Sequence, residues 1–536
     1  MHINKYVFLC YNEFSFEVDI MRSINSIKNA VIAIITNIIT VLVGVVTQAL
    51  FLKLLGDEYS GINGLFTTIL SMLAIVELGF GSAIIYHLYK PVHDGDKESI
   101  KSLMEFYRKT YNVIAGFILL LGFLVMPFIH VIVGEVNIPD NLYFIFFLYI
   151  VDVVVSYLLT YKRSILYADQ KTYIMNLVHI GYLVFMNAIQ ICLLLVYQNF
   201  IVYLFIKILF RFLENLVITL IANRRYPYIL DKDIKPIDPE IKTDIVTKVK
   251  GLFFHKIGSF VVMGTDNIII SMLLGVKMVA VYTNYRLIIN ALNDLLSQVF
   301  SSLTASVGNL LVEDNHSHNY TVYKRLYLLN SWICMWTTTC VFCIASPFIG
   351  LVYGKKYIIP MIVLLVICLN FYITGMRRVY AIFKEAAGIF HEDRFVPIIE
   401  SIINIVASVI LVLLTRKYGL VYGLIGVFTG TIISSLVLYL YSFPKYVYLT
   451  IFKKHFGEYI KELLKHVMLA FITLGITYYV TTLVVVDNFF LQVVINSCIC
   501  ILVPNIIYLV IFFRSNDFRY FVDMFKNMFL KLLRRN

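Results

Sequence analysis

Leu54-Leu55-Gly56 returns later in the chain as Leu273-Leu274-Gly275, and that echo divides the sequence in two. The offset, roughly 219 residues, is shared by other segments, as expected of an internal repeat. Pro127-Phe128-Ile129, with Gly134 and Pro139 behind it, returns as Pro347-Phe348-Ile349, with Gly354 and Pro360. Val202-Tyr203 returns as Val421-Tyr422. Each echo sits at the end of a hydrophobic run. Paired helix bundles of this kind, enclosing a midplane site, are how many carriers open to alternate sides of a membrane. The repeat points to transport.

Composition places that repeat in a bilayer. The chain is 60% hydrophobic and only 15% charged, with a strongly positive mean hydropathy. A soluble fold cannot hide so much apolar side chain, whereas hydrocarbon accepts it. About fourteen apolar stretches, each of about 20 residues or more, run from 28–55 to 489–513 and include 61–89, 200–222 and 251–274. Backbone groups in lipid must be bonded within their own segment, so these stretches are predicted helices. The expected fold is all-α: a polytopic membrane protein of about 14 transmembrane helices, with two pseudo-symmetric six-helix bundles and two extra C-terminal helices.

The formal charge of +12 reads as topology rather than as a nucleic-acid surface. With loops assigned alternately to two sides, one side and both termini hold roughly 33 Lys and Arg. The other side holds about 6 of them: Lys53, Lys277, Lys355, Lys356, Arg416 and Lys417. That asymmetry assigns both termini to the cytoplasm. Nucleic acid is not an expected partner; membrane lipids are, and anionic lipid would favour the basic tail Arg514–Arg535. The eight cysteines form no framework. Cys340 and Cys343 have CxxC spacing but lie in an apolar run, as do Cys192, Cys368, Cys498 and Cys500, so no metal site is expected.

The domain reading follows. Residues 1–27 form a cytoplasmic N-terminal segment without a cleavable signal, and the amphipathic run from Met21 makes that methionine a candidate start. Residues 28–222 form the first six-helix bundle. A charged, proline-bearing cytoplasmic linker occupies 223–250, and the second bundle 251–443. Residues 444–513 hold a basic loop and the two extra helices, expected to pack outside the bundle, and 514–536 form a basic cytoplasmic tail. An even number of helices per half predicts a symmetry axis along the membrane normal, with a cavity between halves.

Polar residues are costly in lipid, so their spacing marks the faces that avoid it. Asn37, Thr40, Gly44, Thr47 and Gln48 share one helical stripe; Asn63, Thr67, Ser71, Glu77 and Gly81 share another. In the second half the stripes are His255, Ser259 and Asp266, then Arg286, Asn290, Asn293 and Ser297. These pairs of helices are repeat counterparts, which predicts a shared wet cavity. Arg286 sits about 15 Å into its helix at 1.5 Å per residue, with no partner closer along the chain than Asp294. It is read as a contact for an anionic substrate, where a guanidinium fork suits phosphate. Arg211, with Lys207 one turn away, either does the same or pairs with Glu214 at i,i+3. Glu77 and Asp266 either pair with an arginine or carry a coupling proton or sodium ion. Arg377 and Arg378 read as snorkelling side chains. His255 and Lys256 sit at the expected cytoplasmic mouth, as headgroup contacts or interfacial anchors. Asp152, midway along its helix, has no evident partner.

No phosphate-binding loop, nucleophile elbow or His-Glu-x-x-His is present, and no predicted loop exceeds about thirty residues, so a soluble catalytic domain is excluded and an enzyme is not expected. No cofactor is implied beyond a proton or sodium gradient.

With these residues in hand, the chain resembles the multidrug/oligosaccharidyl-lipid/polysaccharide (MOP) exporter superfamily, and within it the bacterial polysaccharide-repeat-unit flippases. The resemblance is carried by Leu55-Gly56 with Tyr59-Ser60-Gly61, by Glu77-Leu78-Gly79-Phe80-Gly81-Ser82-Ala83, and by Asp266-Asn267-Ile268-Ile269-Ile270-Ser271 with Gly275. Tyr353-Gly354-Lys355-Lys356-Tyr357 and Tyr422-Gly423-Leu424-Ile425-Gly426 continue it, so it spans nearly everything after residue 21. It implies a MATE-like fold and alternating-access export of undecaprenyl-pyrophosphate-linked oligosaccharide across the bacterial plasma membrane. Other polysaccharide-assembly proteins would be its partners, and tyrosine-rich walls would stack against sugar. A multidrug exporter of the same superfamily or a peptidoglycan-precursor flippase would share the fold. An integral-membrane polymerase or ligase would need a large outer loop, which is lacking.

Overall fold

The computed structural model describes residues 3–77, 79–312, 315–389 and 392–533, with the backbone alone described at 3–27, 30, 75–76, 248, 250–263, 305, 525 and 527–533. All regular structure among the described residues is helical. Eleven of those helices are long and apolar enough to cross a membrane. The three remaining apolar stretches of the sequence are helical too, each with a feature that sets it apart. The 61–89 stretch is a broken helix, 200–222 carries three charges at its centre, and 251–274 is the end of the helix Pro239–Leu274, of which Gly264–Leu274 is apolar among the residues whose side chains are described. The apolar surface confirms the solvent: Leu42, Val113 and Val196 are 61%, 72% and 71% exposed. A chain that turns such residues outward on helix after helix is a multi-pass membrane protein.

The chain separates into two compact units, residues 1–256 and 257–536. The first opens with α1 (Ile3–Leu55), α2 (Asp57–Leu73), α3 (Phe80–Asp94) and α4 (Lys97–Val125). Helices α5 (Leu142–Tyr157), α6 (Thr172–Tyr197) and α7 (Phe200–Arg225) follow. Helix starts obey local chemistry. Asp96, Asn141 and Asn199 cap α4, α5 and α7, accepting from the amides of Ser99, Phe144 and Val202 at 3.1, 3.1 and 3.0 Å. Helix α6 packs on α1 and α7, and α5 packs on α4 and α7. The core behind them includes Ile84, Leu88, Ile118, Ile165 and Ala222.

The expected boundaries at 27/28 and 250/251 both fall inside continuous helices: α1 begins at Ile3, and α8 (Pro239–Leu274) starts in the predicted linker and runs across its end. Proline supplies the physical reason at 239, since it suits a first helical turn where its missing N–H is no loss.

The second unit contains the end of α8 and α9 (Val276–Ser301), α10 (His316–Val352), α11 (Met361–Ala386), α12 (Val396–Thr415) and α13 (Gly423–Val437). It closes with α14 (Phe456–Thr482), α15 (Phe489–Phe512) and α16 (Asn516–Leu533). Helices α12 and α13 approach backbone to backbone. A Cβ on Gly426 would stand 2.6 Å from Val412 Cα, and one on Gly430 2.6 Å from Ser408 Cα. Gly426 and Gly430 are one turn apart, the small-residue spacing that lets membrane helices pack without side chains between them.

The two extra helices are held against α10 of the second unit: Asn496 donates to Cys343 O at 2.7 Å, Trp332 to Asn505 at 2.8 Å and Tyr508 to Leu328 O at 2.8 Å. Amide, hydroxyl and indole donors placed on apolar helices must find acceptors inside the protein: α10 accepts from Asn496 and Tyr508, and α15 accepts from Trp332. Five tyrosines of this unit belong to its core. Tyr323, Tyr327, Tyr380, Tyr448 and Tyr459 are all 1% exposed or less and pack ring on ring.

The repeat has a backbone cause. Gly56 and Gly275 both have φ of 88°, with ψ of −176° and 156°. Gly134 and Gly354 follow at φ 77° and 104°. A side chain is strongly disfavoured in that region, so each half must keep a glycine where consecutive helices reverse.

Candidate functional site

In the first unit the fold gathers a buried charge cluster from four segments. Helix α7 presents Lys207, Arg211 and Glu214 at i, i+4 and i+7, which is one face. Helix α5 brings Asp152, 6% exposed, against that face. Lys207 Nζ lies 3.1 Å from Asp152 Oδ2, and Arg211 Nε 3.5 Å from Asp152 Oδ1. Asp152 is therefore no orphan: an apolar helix with a central carboxylate must find cations across the bundle, and these are the cations.

Glu214, 3% exposed, is held from the other side. Arg163 Nη2 stands 3.2 Å from its carboxylate and His179 Nδ1 3.1 Å, while Arg211 is farther at 3.9 Å. The i,i+3 pair expected for Arg211 is thus the weakest of its contacts, and Asp152 takes most of its charge. Arg163 owes its position to a break in the chain. Helix α5 ends at Leu158, and Leu159 turns into the left-handed region at φ 67°. The freed carbonyls of Val155, Ser156 and Leu158 accept from Asn215 Nδ2 at 3.1, 3.2 and 3.1 Å. Asn215 Oδ1 then accepts from Arg163 Nη2 at 2.8 Å.

The cluster is cationic and incompletely bonded. Three permanent cations and a histidine face two carboxylates. Arg163 Nε, Arg211 Nε, Asp152 Oδ1 and Glu214 Oε2 are buried without a hydrogen-bond partner among the described residues. Aromatic rings line it: Lys207 lies 4.6 Å from the Tyr149 ring and Arg211 5.6 Å from that of Tyr182. Such a group can hold an anion by charge and by guanidinium forks.

Glu77 occupies the break between α2 and α3, a single tight turn at Ala74–Glu77 ending at Gly79 with φ 92°. Its carboxylate accepts from Tyr111 OH, and from Tyr157 OH at 3.3 Å. Among the described residues its hydrogen-bond partners are tyrosines; an arginine pair is one of the two readings offered for it. Gly81 faces this group, and a Cβ there would meet Glu77 Oε1 at 3.1 Å and Tyr107 OH at 3.2 Å.

The other residues singled out in the first half are packed elsewhere. Gln48 is buried and donates to Ser60 at 2.9 Å, joining α1 to α2, and its neighbour Thr47 donates to Asn187 at 2.8 Å on α6. Asn37 is half-buried higher on α1.

In the second unit Arg286 is not isolated. Asp266 lies within its electrostatic reach, as does Tyr282. Asp266 accepts from Thr431 at 3.3 Å, and Thr431 accepts in turn from Asn404 at 3.0 Å. This is the first of the two readings offered for Asp266, an arginine pair, and the partner sits on the helix before the arginine's own. Arg377 and Arg378 are corrected too. They do not snorkel: Arg377 pairs with Glu400 at 2.8 Å, and Arg378 donates to Asn293 at 2.6 Å. Asn290 is exposed. The side chains of His255 and Lys256 lie outside the described residues.

Sequence reasoning missed Arg163, His179 and Asn215 as members of the cluster. Arg163 follows Tyr161-Lys162 and reads as an interfacial anchor, and nothing in spacing links it to Glu214. Asp152 was the available signal, since a carboxylate in mid-membrane demands a cation.

No protein-family model matches the chain, and no curated protein matches its sequence. Its fold is nonetheless found in solved structures: it is the MATE-like fold of membrane transporters. A structure of the lipid II flippase MurJ in an inward closed conformation superposes with a TM-score of 0.60 at 15% identity, over 91% of this chain and 99% of that one. An inward-facing multidrug resistance MATE family transporter of the MOP superfamily gives 0.57 at 15% identity, over 75% and 93%. A mutant of the Vibrio cholerae MATE transporter VcmN gives 0.52 at 13%, over 79% and 97%.

Proposed function

We propose that this chain is a flippase that moves an oligosaccharide on an undecaprenyl-pyrophosphate carrier from the cytoplasmic to the outer leaflet of a bacterial plasma membrane, for surface polysaccharide assembly. The fold serves a lipid-linked flippase and multidrug transporters alike, so the choice rests on the charge of the site. What carries it is the cluster of half-buried Lys207, Arg211, Arg163 and His179, which outnumbers the buried carboxylates Asp152 and Glu214 and leaves four buried polar atoms without a hydrogen bond among the described residues. A multidrug exporter would be expected to have a drier, more acidic pocket. The pyrophosphate of a lipid-linked saccharide matches these cations, while the prenyl tail stays in hydrocarbon. Arg286 and Asn293 would supply further contacts in the second unit. The movement would be an alternating-access cycle with no covalent step, and Glu77 and Asp266 would be the carboxylates that couple it to a proton or sodium gradient.

The test is transport in proteoliposomes loaded with undecaprenyl-pyrophosphate saccharide, read by the accessibility of the sugar to an external lectin. Wild type is expected to raise accessibility and Arg211→Gln to abolish the gain. Unchanged lectin access, with efflux of cationic dyes from the same vesicles, would replace this reading with the multidrug one.

A further inference from the structure

A second basic site lies in the first unit, apart from the charge cluster. The segment Ile229–Lys242 folds against the start of α4 and the Tyr161-Lys162 turn, enclosing a cleft of about 830 Å³. Ser102 Oγ donates to Lys235 O at 2.5 Å and Lys101 Nζ to Asp233 O at 3.2 Å, so the segment is fastened down and the cleft is built into the fold. Seven Lys and Arg side chains line it against two carboxylates, Glu105 and Asp231.

Part of that charge is already answered. Lys101 pairs with Glu98 at 2.6 Å and Asp231 at 3.5 Å, and Arg108 with Glu105 at 2.7 Å. Lys162 is different. It is 5% exposed, lines the cleft, and has neither an ion-pair nor a hydrogen-bond partner among the described residues. Its one favourable recorded contact is the Tyr161 ring at 5.3 Å, and Arg108 repels it. Its stem is buried while the ammonium opens to the cleft without a counter-charge among the described residues, and such a placement suits a ligand that supplies the anion. Lys232 and Lys242, also unpaired among the described residues, add exposed positive charge at the rim.

We propose that this cleft binds a phosphoryl anion, with Lys162 as its inner contact. The volume falls in the range of small-ligand sites, about 300–1,000 Å³. The positive-inside distribution assigns the linker to the cytoplasmic face, where anionic lipid headgroups are the abundant source of phosphoryl groups. The site stands independently of the transport reading, because none of its residues belongs to the Arg211 cluster.

The test measures thermal midpoints of the full-length protein in nanodiscs of phosphatidylcholine, with and without phosphatidylglycerol, and in detergent with and without inorganic pyrophosphate. Lys162→Met is expected to raise the midpoint in neutral lipid, by removing an unanswered charge, and to erase the added stabilisation from phosphatidylglycerol. Lys232→Gln/Lys242→Gln, which alters exposed side chains only, is expected to weaken binding about tenfold and flatten its salt dependence. Lys53→Gln, outside the cleft, serves as the control. A shift with phosphatidylglycerol alone assigns the site to a lipid headgroup; a Lys162-dependent shift with pyrophosphate assigns it to a soluble phosphoryl ligand. Shifts unaffected by Lys162→Met and by the double variant, or no shift with either ligand, would overturn the proposal.

Discussion

Lys207 on α7 meets Asp152 on α5 at 3.1 Å. The contact makes the cluster a unit, because Asp152 also holds Arg211 and Arg211 reaches Glu214. Burying charge is costly, and removing one member of a buried pair leaves the other unanswered.

Asp152→Asn is therefore expected to destabilise the first unit by about 3–5 kcal/mol, since both Lys207 and Arg211 lose their nearest carboxylate. The double variant Asp152→Asn/Lys207→Met should recover a substantial part. Chemical denaturation of the four proteins in detergent gives the double-mutant cycle. A coupling energy near zero would show that the pair is not a unit.

The repeat glycines make a separate prediction. Nothing lies within 4 Å of a Cβ built on Gly56 or Gly275, so any cost of alanine there comes from φ of 88° alone. Gly56→Ala and Gly275→Ala should each cost about 1–3 kcal/mol. Gly44, inside α1 with equal space around it, is the contrast: Gly44→Ala should be neutral or stabilising by up to about 1 kcal/mol. Thermal midpoints of the three variants would check both signs.

These glycines also explain what the sequence could disclose. Positions such as Gly56, Gly134, Gly275 and Gly354 are constrained by the backbone itself, so they survive as an echo when most side chains between them have changed. Apolar length disclosed the helices for a similar reason, because bilayer thickness allows little freedom. The charge cluster was legible only as unmet need. Asp152 and Arg211 each required partners, but the partners lie on other helices, and spacing along one helix carries no information about which neighbour it meets. Glu77 marks the same limit. It sits in a stripe of helical period, yet the break at Gly79 turns it to Tyr111 and Tyr157 instead of an arginine.

The contact of α12 with α13 gives a steric prediction. Gly430 faces the backbone at Ser408, and Gly426 that at Val412, leaving no flexible side chain able to move aside. Gly430→Ala should separate the two helices and cost about 1–3 kcal/mol, with Gly430→Val costing more. Cysteine cross-linking between α12 and α13, read as a loss of rate in the variants, would report the separation directly. Equal rates would show that the helices are not held by backbone approach.

The transport reading makes its sharpest demand on Arg211. If its guanidinium contacts the pyrophosphate, the loss should follow hydrogen-bond geometry as well as charge. Arg211→Lys keeps a cation near Asp152 but removes the planar fork, so the protein should stay folded while carrier affinity falls. One charged hydrogen bond is worth about 1.5–3 kcal/mol, which corresponds to roughly ten- to hundredfold in affinity. Arg211→Gln should abolish lectin-accessible product altogether. Arg163→Lys separates structure from binding, because Arg163 bridges Asn215 and Glu214 at 2.8 and 3.2 Å and so fixes the end of α5. Its main effect should be on thermal stability, with a smaller change in apparent affinity. Reconstituted transport measured against carrier concentration distinguishes the two. A pattern in which Arg211→Lys moves stability and leaves affinity untouched would place Arg211 in the scaffold and remove the anion-binding role from the cluster.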